Sequence, residues 1–231
     1  MIAIKSDRLP PERKDISMVR PERKPQGRPE RKVELPESRE SVGLRIIGGL
    51  FRGRKLVYSG DMRTRPMKDR LREAIFNLIG PEVKGKHAID LFAGTGALAF
   101  EAISRGAAQA TLIEQHFPTA NIIRQNAASL EIDKVVDVVS ANAFFWGRRA
   151  PKVDSLPWVV FCSPPYKFYV ERTAEMLELI RGLMEAAPVE SIFVVESDDQ
   201  FDFQLLPDAE AWDVRPYAPA VVGIYQKEPS P

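Results

Sequence analysis

The order of apolar runs predicts an α/β protein built on a doubly wound sheet, and three observations carry that reading. Short strand-like runs, His87 to Phe92, Ala110 to Glu114, Val135 to Ser140, Trp158 to Cys162 and Ser191 to Glu196, alternate with longer segments of helical spacing. The first run ends in a turn with two glycines, Gly94 and Gly96. The last two runs, Trp212 to Tyr217 and Val221 to Tyr225, flank Ala218-Pro219 and read as an antiparallel hairpin at one edge.

Taken in order, residues 1–42 are expected to be a disordered, basic, proline-rich extension. Pro-Glu-Arg-Lys occurs there three times, at 11–14, 21–24 and 29–32, with few apolar residues between. Such a segment cannot bury enough surface to offset the entropy of ordering it. It reads either as an RNA-touching arm or as a solvated tail.

Residues 43–83 form the next unit. Leu44 to Gly49 and Arg54 to Tyr58 read as two short strands joined through Gly53. Arg45, Arg52, Arg54 and Lys55 make this hairpin basic, as suits a nucleic-acid-facing element or a charged edge that blocks sheet pairing. Thr64-Arg65-Pro66 follows. Leu71, Ala74, Ile75, Leu78 and Ile79 then repeat at helical spacing, with Arg65 and Arg70 near the start and Gly80-Pro81 at the end.

The third unit spans 84–228. Its glycines let the backbone turn tightly and approach a ligand, and the following helix start directs amides at it. That arrangement is Rossmann-like. The turn lacks the third glycine of a dinucleotide fingerprint, and an acid, Asp90, stands at the strand end. A carboxylate there repels a pyrophosphate but accepts hydrogen bonds from an ammonium group. The loop therefore suits a zwitterionic nucleoside such as S-adenosyl-L-methionine (AdoMet), unless it is simply a glycine turn of an α/β domain. Glu114, 18 residues past Gly96, is spaced to bind ribose hydroxyls or is a surface acid. Phe117 to Leu130 and Val170 to Ala186 read as helices. Asn142, after the third strand, can bond an adenine edge, cap a helix, or do both.

Ser163-Pro164-Pro165-Tyr166 follows the fully apolar fourth strand. An exocyclic base amine is a poor nucleophile because its lone pair is delocalised into the ring. Acceptors aimed at its N–H groups favour the pyramidal form. Prolines of fixed φ hold a carbonyl in place, Ser163 offers a side-chain acceptor, and Tyr166 offers a ring face for an extruded base. The alternative is a proline turn followed by a core tyrosine. In a doubly wound sheet all four stretches, Asp90–Gly96, Glu114, Asn142 and Ser163–Tyr166, fall on one edge.

Composition narrows the class. The chain of 231 residues has a net charge of +1, but residues 1–40 carry +3, residues 41–86 carry +7 and the remainder −9. A basic segment joined to an acidic globule points to a polyanionic partner. The one cysteine, Cys162, excludes an internal disulfide, and the two histidines, His87 and His116, are too scattered for a metal site. No apolar run has the length of a membrane span, and the charged N-terminus is not a signal peptide, so a cytoplasmic protein is expected.

Residues 44–226 resemble the RsmD family of bacterial rRNA (guanine-N2) methyltransferases. The resemblance rests on Gly49-Leu50-Phe51-Arg52-Gly53-Arg54-Lys55-Leu56, on Thr64-Arg65-Pro66 with Asp69 to Asn77, and on Asp90 to Ala97 with Glu101 to Ala107. It implies a class I AdoMet-dependent methyltransferase fold, AdoMet as cofactor, and a guanine of small-subunit rRNA as target, within an assembling subunit and by a monomer. It further implies that Asp90, Phe92, Gly94, Gly96, Glu114 and Asn142 bind cofactor, that Thr64 and Pro66 lie against its amino-acid end, and that Ser163 to Tyr166 hold the guanine. The family usually has Asp at the positions of Ser163 and Asn142. Serine is a weaker acceptor and can also donate. Ser-Pro-Pro-Tyr is similar to the motif of DNA cytosine-N4 methyltransferases, so a DNA amino-methyltransferase is one alternative. A non-catalytic RNA-binding assembly factor is another.

Overall fold

The computed structural model describes residues 43–58, 60, 66–149, 153 and 155–229. The extension 1–42, Thr64 and Arg65 lie outside the described residues.

Seven strands form one sheet: β1 (His87–Asp90), β2 (Gln109–Ile113), β3 (Val136–Val139), β4 (Trp158–Cys162), β5 (Ile192–Asp198), β6 (Asp213–Tyr217) and β7 (Ala220–Gln226). Their order is β3-β2-β1-β4-β5-β7-β6. The first five run parallel, β7 is antiparallel to β5, and β6 is antiparallel to β7. The result is a doubly wound, Rossmann-like sheet with an antiparallel edge pair, as expected. Every residue of β4 is buried, as expected of an unbroken apolar run covered on both faces.

The helices are α1 (Asp69–Ile79), α2 (Ala97–Ser104), α3 (Phe117–Ser129), α4 (Ala143–Arg148), α5 (Lys167–Glu171) and α6 (Thr173–Ala186). Alternate strand residues divide between two cores, as the twofold period of a strand requires. Ala88, Val159, Phe161 and Val194 pack with residues of α1, α2 and α3. Ile89, Val160, Cys162 and Val195 pack with residues of α4 and α6. The chain moves outward from β1 to β3 and then returns to β4, so the order reverses between β1 and β4. Ligands bind at such a switch point, beyond the carboxyl ends of the strands.

Two expectations are corrected. The single helix over Val170 to Ala186 is two helices, broken at Arg172, whose φ of −136° leaves the helical region. The Arg172 guanidinium lies 3.9 Å from the Phe144 ring centroid and pairs with Glu175 at 2.7 Å. Those are contacts that helical spacing alone does not encode. The basic hairpin forms, but with one bridge pair, Arg45 and Lys55, instead of two strands. Ile46, Gly53 and Leu56 bond across the arm through their amides, to the carbonyls of Arg54, Ile46 and Leu44, and other backbone groups bond to helix side chains. Glu101 accepts from the amides of Ile47 (2.8 Å) and Gly48 (2.7 Å), Ser104 Oγ from Phe51 N (2.9 Å), and Asn126 pairs with both N and O of Val57. Leu44, Ile46 and Leu56 are buried in the first core, so one face of the arm is structural. At Gly49, with φ of +73°, an added Cβ would lie 1.9 Å from the Ser104 carbonyl oxygen, so the arm can approach α2 only through glycine.

Candidate active site

A cavity of about 1230 Å³ opens at the switch point. Small-molecule sites usually occupy about 300–1,000 Å³, so this one has room for a nucleoside cofactor and an extruded base together. Asp90, Phe92, Gly94, Glu114, Asn142 and Ser163–Tyr166 all line it, as do Pro66 and Arg70.

The turn after β1 is built for close approach. Gly94 and Gly96 both have positive φ, 50° and 75°. Gly94 lines the cavity, whereas Gly96 faces the core, where a Cβ would come within 2.8 Å of Phe100 and 3.1 Å of Leu112. Asp90 ends β1, buried, and its Oδ1 has no hydrogen-bond partner. Burial pushes this carboxyl up to about 7, with the charge of Glu114 acting in the same direction against hydrogen bonds from the Ala99 and Phe92 backbone. An orphaned buried acceptor beside a glycine turn fits a ligand ammonium group. Glu114 accepts from Gly94 N (2.9 Å) and His116 N (2.7 Å), which ties the acid at the end of β2 to the turn of β1. Asn142 Oδ1 caps α4 through Phe144 N (3.0 Å), and its Nδ2 donates to Gln115 (3.3 Å).

Ser163 to Tyr166 line the same cavity. Here the structure adds a residue that sequence reasoning missed. Glu196, buried on β5, accepts hydrogen bonds from both the Ser163 and the Tyr166 hydroxyls, one on each carboxylate oxygen. Strand register explains the meeting: Cys162 on β4 pairs with Val195 on β5, so the next residues, Ser163 and Glu196, are neighbours. Burial raises the Glu196 carboxyl above its ordinary range, and the two hydroxyl donors oppose the shift. Ser163, whose hydroxyl can accept or donate, donates here to Glu196. A sequence signal existed. Asp90 and Glu196 both follow apolar runs of parallel strands, and only the first was weighed as a site residue.

Phe144 and Phe168, also unforeseen, form an aromatic cluster with Phe92 at centroid distances of 5.8–6.1 Å, and all three line the cavity. The cationic residues expected at an RNA surface divide. Arg45 pairs with Asp69 at 3.2 Å, and Arg54 donates to the Ser129 carbonyl at 2.7 Å. Arg52 and Lys55 are exposed on the hairpin. Among the described residues, no His, Cys, Asp and Glu cluster could hold a metal ion, and no helix is long and apolar enough to cross a membrane.

Comparison with known proteins identifies the lineage. A family model described as "Conserved hypothetical protein 95" matches residues 44–225. "Ribosomal RNA small subunit methyltransferase D" of Escherichia coli strain K12 is 35% identical over 177 residues, covering 76% of this chain and 85% of that protein. The chain belongs to the RsmD family. As an RsmD-family methyltransferase it takes AdoMet as its methyl donor, a molecule that the turn at Asp90 fits. A solved structure described as a putative methyltransferase yhhF, from Escherichia coli, superposes with a TM-score of 0.68 at 32% identity, over 80% of this chain and 98% of that one. The Thermus thermophilus 16S rRNA N2 G1207 methyltransferase (RsmC), solved with AdoMet and guanosine, shares the fold. Its TM-score is 0.61 at 17% identity, over 80% of this RsmD-family chain and 50% of that chain.

Proposed function

We propose that this protein transfers a methyl group from AdoMet to the exocyclic N2 amine of a guanine in small-subunit (16S) rRNA. One observation carries the reading: the turn after β1 and the Ser163–Tyr166 segment after β4 line a single cavity. AdoMet, when bound, supplies a methyl group made electrophilic by its sulfonium.

The chain's own residues do the positioning. Asp90 would accept from the ammonium of the cofactor, with Pro66 and the neighbouring Thr64 against its amino-acid end. Gly94 allows close approach, Gly96 shapes the turn from behind, and Glu114, fixed by two backbone amides, presents its remaining lone pairs to ribose hydroxyls. Phe92, Phe144 and Phe168 offer an apolar wall to the adenine, beside Asn142. The Pro165 carbonyl accepts from Phe168 N at 2.8 Å; we assign the Pro164 carbonyl and Ser163 Oγ as acceptors for the target amine. Tyr166 offers its ring to the base, a contact of about 1–3 kcal/mol in comparable sites. Arg52 and Lys55, with Arg65 and Arg70, would meet RNA phosphates. The substrate is rRNA in an assembling subunit in the cytoplasm, met by a single copy of the chain, and residues 1–42 are an extension outside the methyltransferase domain.

The name of the Escherichia coli relative supports the rRNA substrate. Mass-spectrometric mapping of rRNA nucleosides from cells with and without this protein tests the proposal. The expected result is one N2-methylguanosine in small-subunit rRNA that disappears with the gene. Unchanged rRNA, or methyl incorporation into duplex DNA instead, would overturn it.

A further inference from the structure

The Ser163, Tyr166 and Glu196 cluster carries an inference that rests on the methyl-transfer reading and deepens it. A serine hydroxyl can donate or accept, and a tyrosine hydroxyl likewise. At this wall the choice is fixed. Each hydroxyl spends its one proton on a separate oxygen of the buried Glu196 carboxylate. What the Ser163 hydroxyl has left is lone pairs, and an ionised carboxylate has only lone pairs as well. All three residues line the cavity.

We propose that Glu196 is a positioning residue that selects guanine, by holding the Ser163 hydroxyl as a hydrogen-bond acceptor beside its own carboxylate, a wall of acceptors at the edge of the base. The chemistry of the bases makes the selection. Guanine presents N1–H and N2–H2 side by side, two neighbouring donors next to the amine to be methylated. Adenine presents its N6 amine beside a bare N1, and cytosine its N4 amine beside a bare N3. Against a wall of acceptors, guanine pairs both positions, while adenine and cytosine set a ring lone pair against an oxygen lone pair. An unpaired, desolvated acceptor costs more than a hydrogen bond gains, so such a wall discriminates strongly. It also accounts for a serine where the family usually has aspartate: the carboxylate stands one strand away, on β5, and acts through the serine oxygen.

Glu196→Gln tests this in the full-length protein, because the amide replaces one acceptor oxygen with a donor and forces one hydroxyl to reverse. The binding probes are guanosine, inosine (which lacks the N2 amine) and adenosine, titrated by calorimetry with saturating S-adenosylhomocysteine. In wild type, guanosine should bind at least about tenfold more tightly than either analogue, one hydrogen bond's worth. In Glu196→Gln that preference should collapse toward unity, and kcat on small-subunit particles should fall about 100-fold. AdoMet affinity should stay within about twofold, since Glu196 is not assigned to the cofactor. Adding Ser163→Asp to Glu196→Gln should restore part of both the preference and kcat, because it returns a carboxylate to the wall.

Full guanosine preference and turnover in Glu196→Gln would overturn the inference, as would a double variant no better than the single one. Should Glu196→Gln fail to fold, Ser163→Ala removes one acceptor and leaves the carboxylate. Undiminished preference there would equally overturn it. Wild-type protein that methylates no rRNA guanine would instead remove the proposed function. Wild-type protein that does so, beside an unaffected Glu196→Gln, removes only the role of Glu196.

Discussion

Glu101 and Asp90 are both buried acids of the same strand–turn–helix unit, and their surroundings are opposite. Glu101 is wholly buried and fully supplied. It accepts from two hairpin amides and from Arg105 Nε at 2.8 Å, and Arg72 Nε stands 3.8 Å away. Arg72 is itself wholly buried, with its guanidinium bonded to the Arg45 carbonyl (2.7 Å) and to Asp69 (2.9 Å). Burial pulls Arg72 below its ordinary value, while Asp69 and Glu101 hold its charge in place. Asp90 has backbone hydrogen bonds, a like charge at Glu114, and one orphaned oxygen. Folding alone supplies the first acid; the second keeps an open acceptor, as the proposed AdoMet site requires. That contrast distinguishes the two carboxylates more clearly than burial, which is nearly the same for both.

The largest effect is expected at the acid that the fold itself supplies with donors. Glu101→Gln should destabilise the protein by about 3–5 kcal/mol, because it removes the wholly buried charge that faces both Arg105 and Arg72. Denaturant titration measures this, and a loss below about 1 kcal/mol would mean that Asp69 alone suffices for Arg72.

Asp90 should behave in the opposite sense. Its folded value of about 7 stands above the ordinary 3.8, so burial favours the neutral form. The stability it contributes is present below about pH 4 and is lost as pH rises through 7. Asp90→Asn should therefore leave the ligand-free protein at least as stable at pH 8. The same substitution should weaken AdoMet by about 10–100-fold, the worth of one charged hydrogen bond. In wild type, AdoMet affinity should fall about tenfold from pH 8 to pH 6 as Asp90 takes up a proton, and the Asn variant should be flat. Calorimetric titrations at the two pH values decide it. A wild-type affinity independent of pH would place the ammonium group elsewhere.

The smallest effects belong to exposed cations. Replacing Arg52 or Lys55 with alanine should leave stability unchanged and lower the salt slope of RNA binding by about one per phosphate contact. An unaltered slope would assign the hairpin to structure alone.

The same contrast explains what the sequence shows and what it hides. The bounds of β4 and the glycine turn are legible because apolar runs and glycine positions are local properties. The edge on which the site stretches meet follows from strand alternation. The hairpin departs from two strands because the partners of its amides, Glu101, Ser104 and Asn126, stand 53–69 residues away, beyond the reach of local spacing. The break at Arg172 depends on Phe144, from a helix that polar–apolar spacing did not reveal. Ser163 was found by its motif, but the direction of its proton is set by Glu196, 33 residues on. Chemistry-bearing residues announce themselves by type and spacing, whereas their protonation and partners belong to the tertiary fold.

One short helix, α2, begins at the glycine turn and ends at the clamp on the basic arm: Gly96 caps its start, while Glu101 and Ser104 near its end grip the hairpin. At about 1.5 Å of rise per residue, its eight residues set a stiff gauge of about 12 Å between the two. Under the proposed function, an RNA strand meeting the arm would be held at a set reach from the cavity, so distance along a folded RNA would help settle which nucleotide enters, beside the identity of its base.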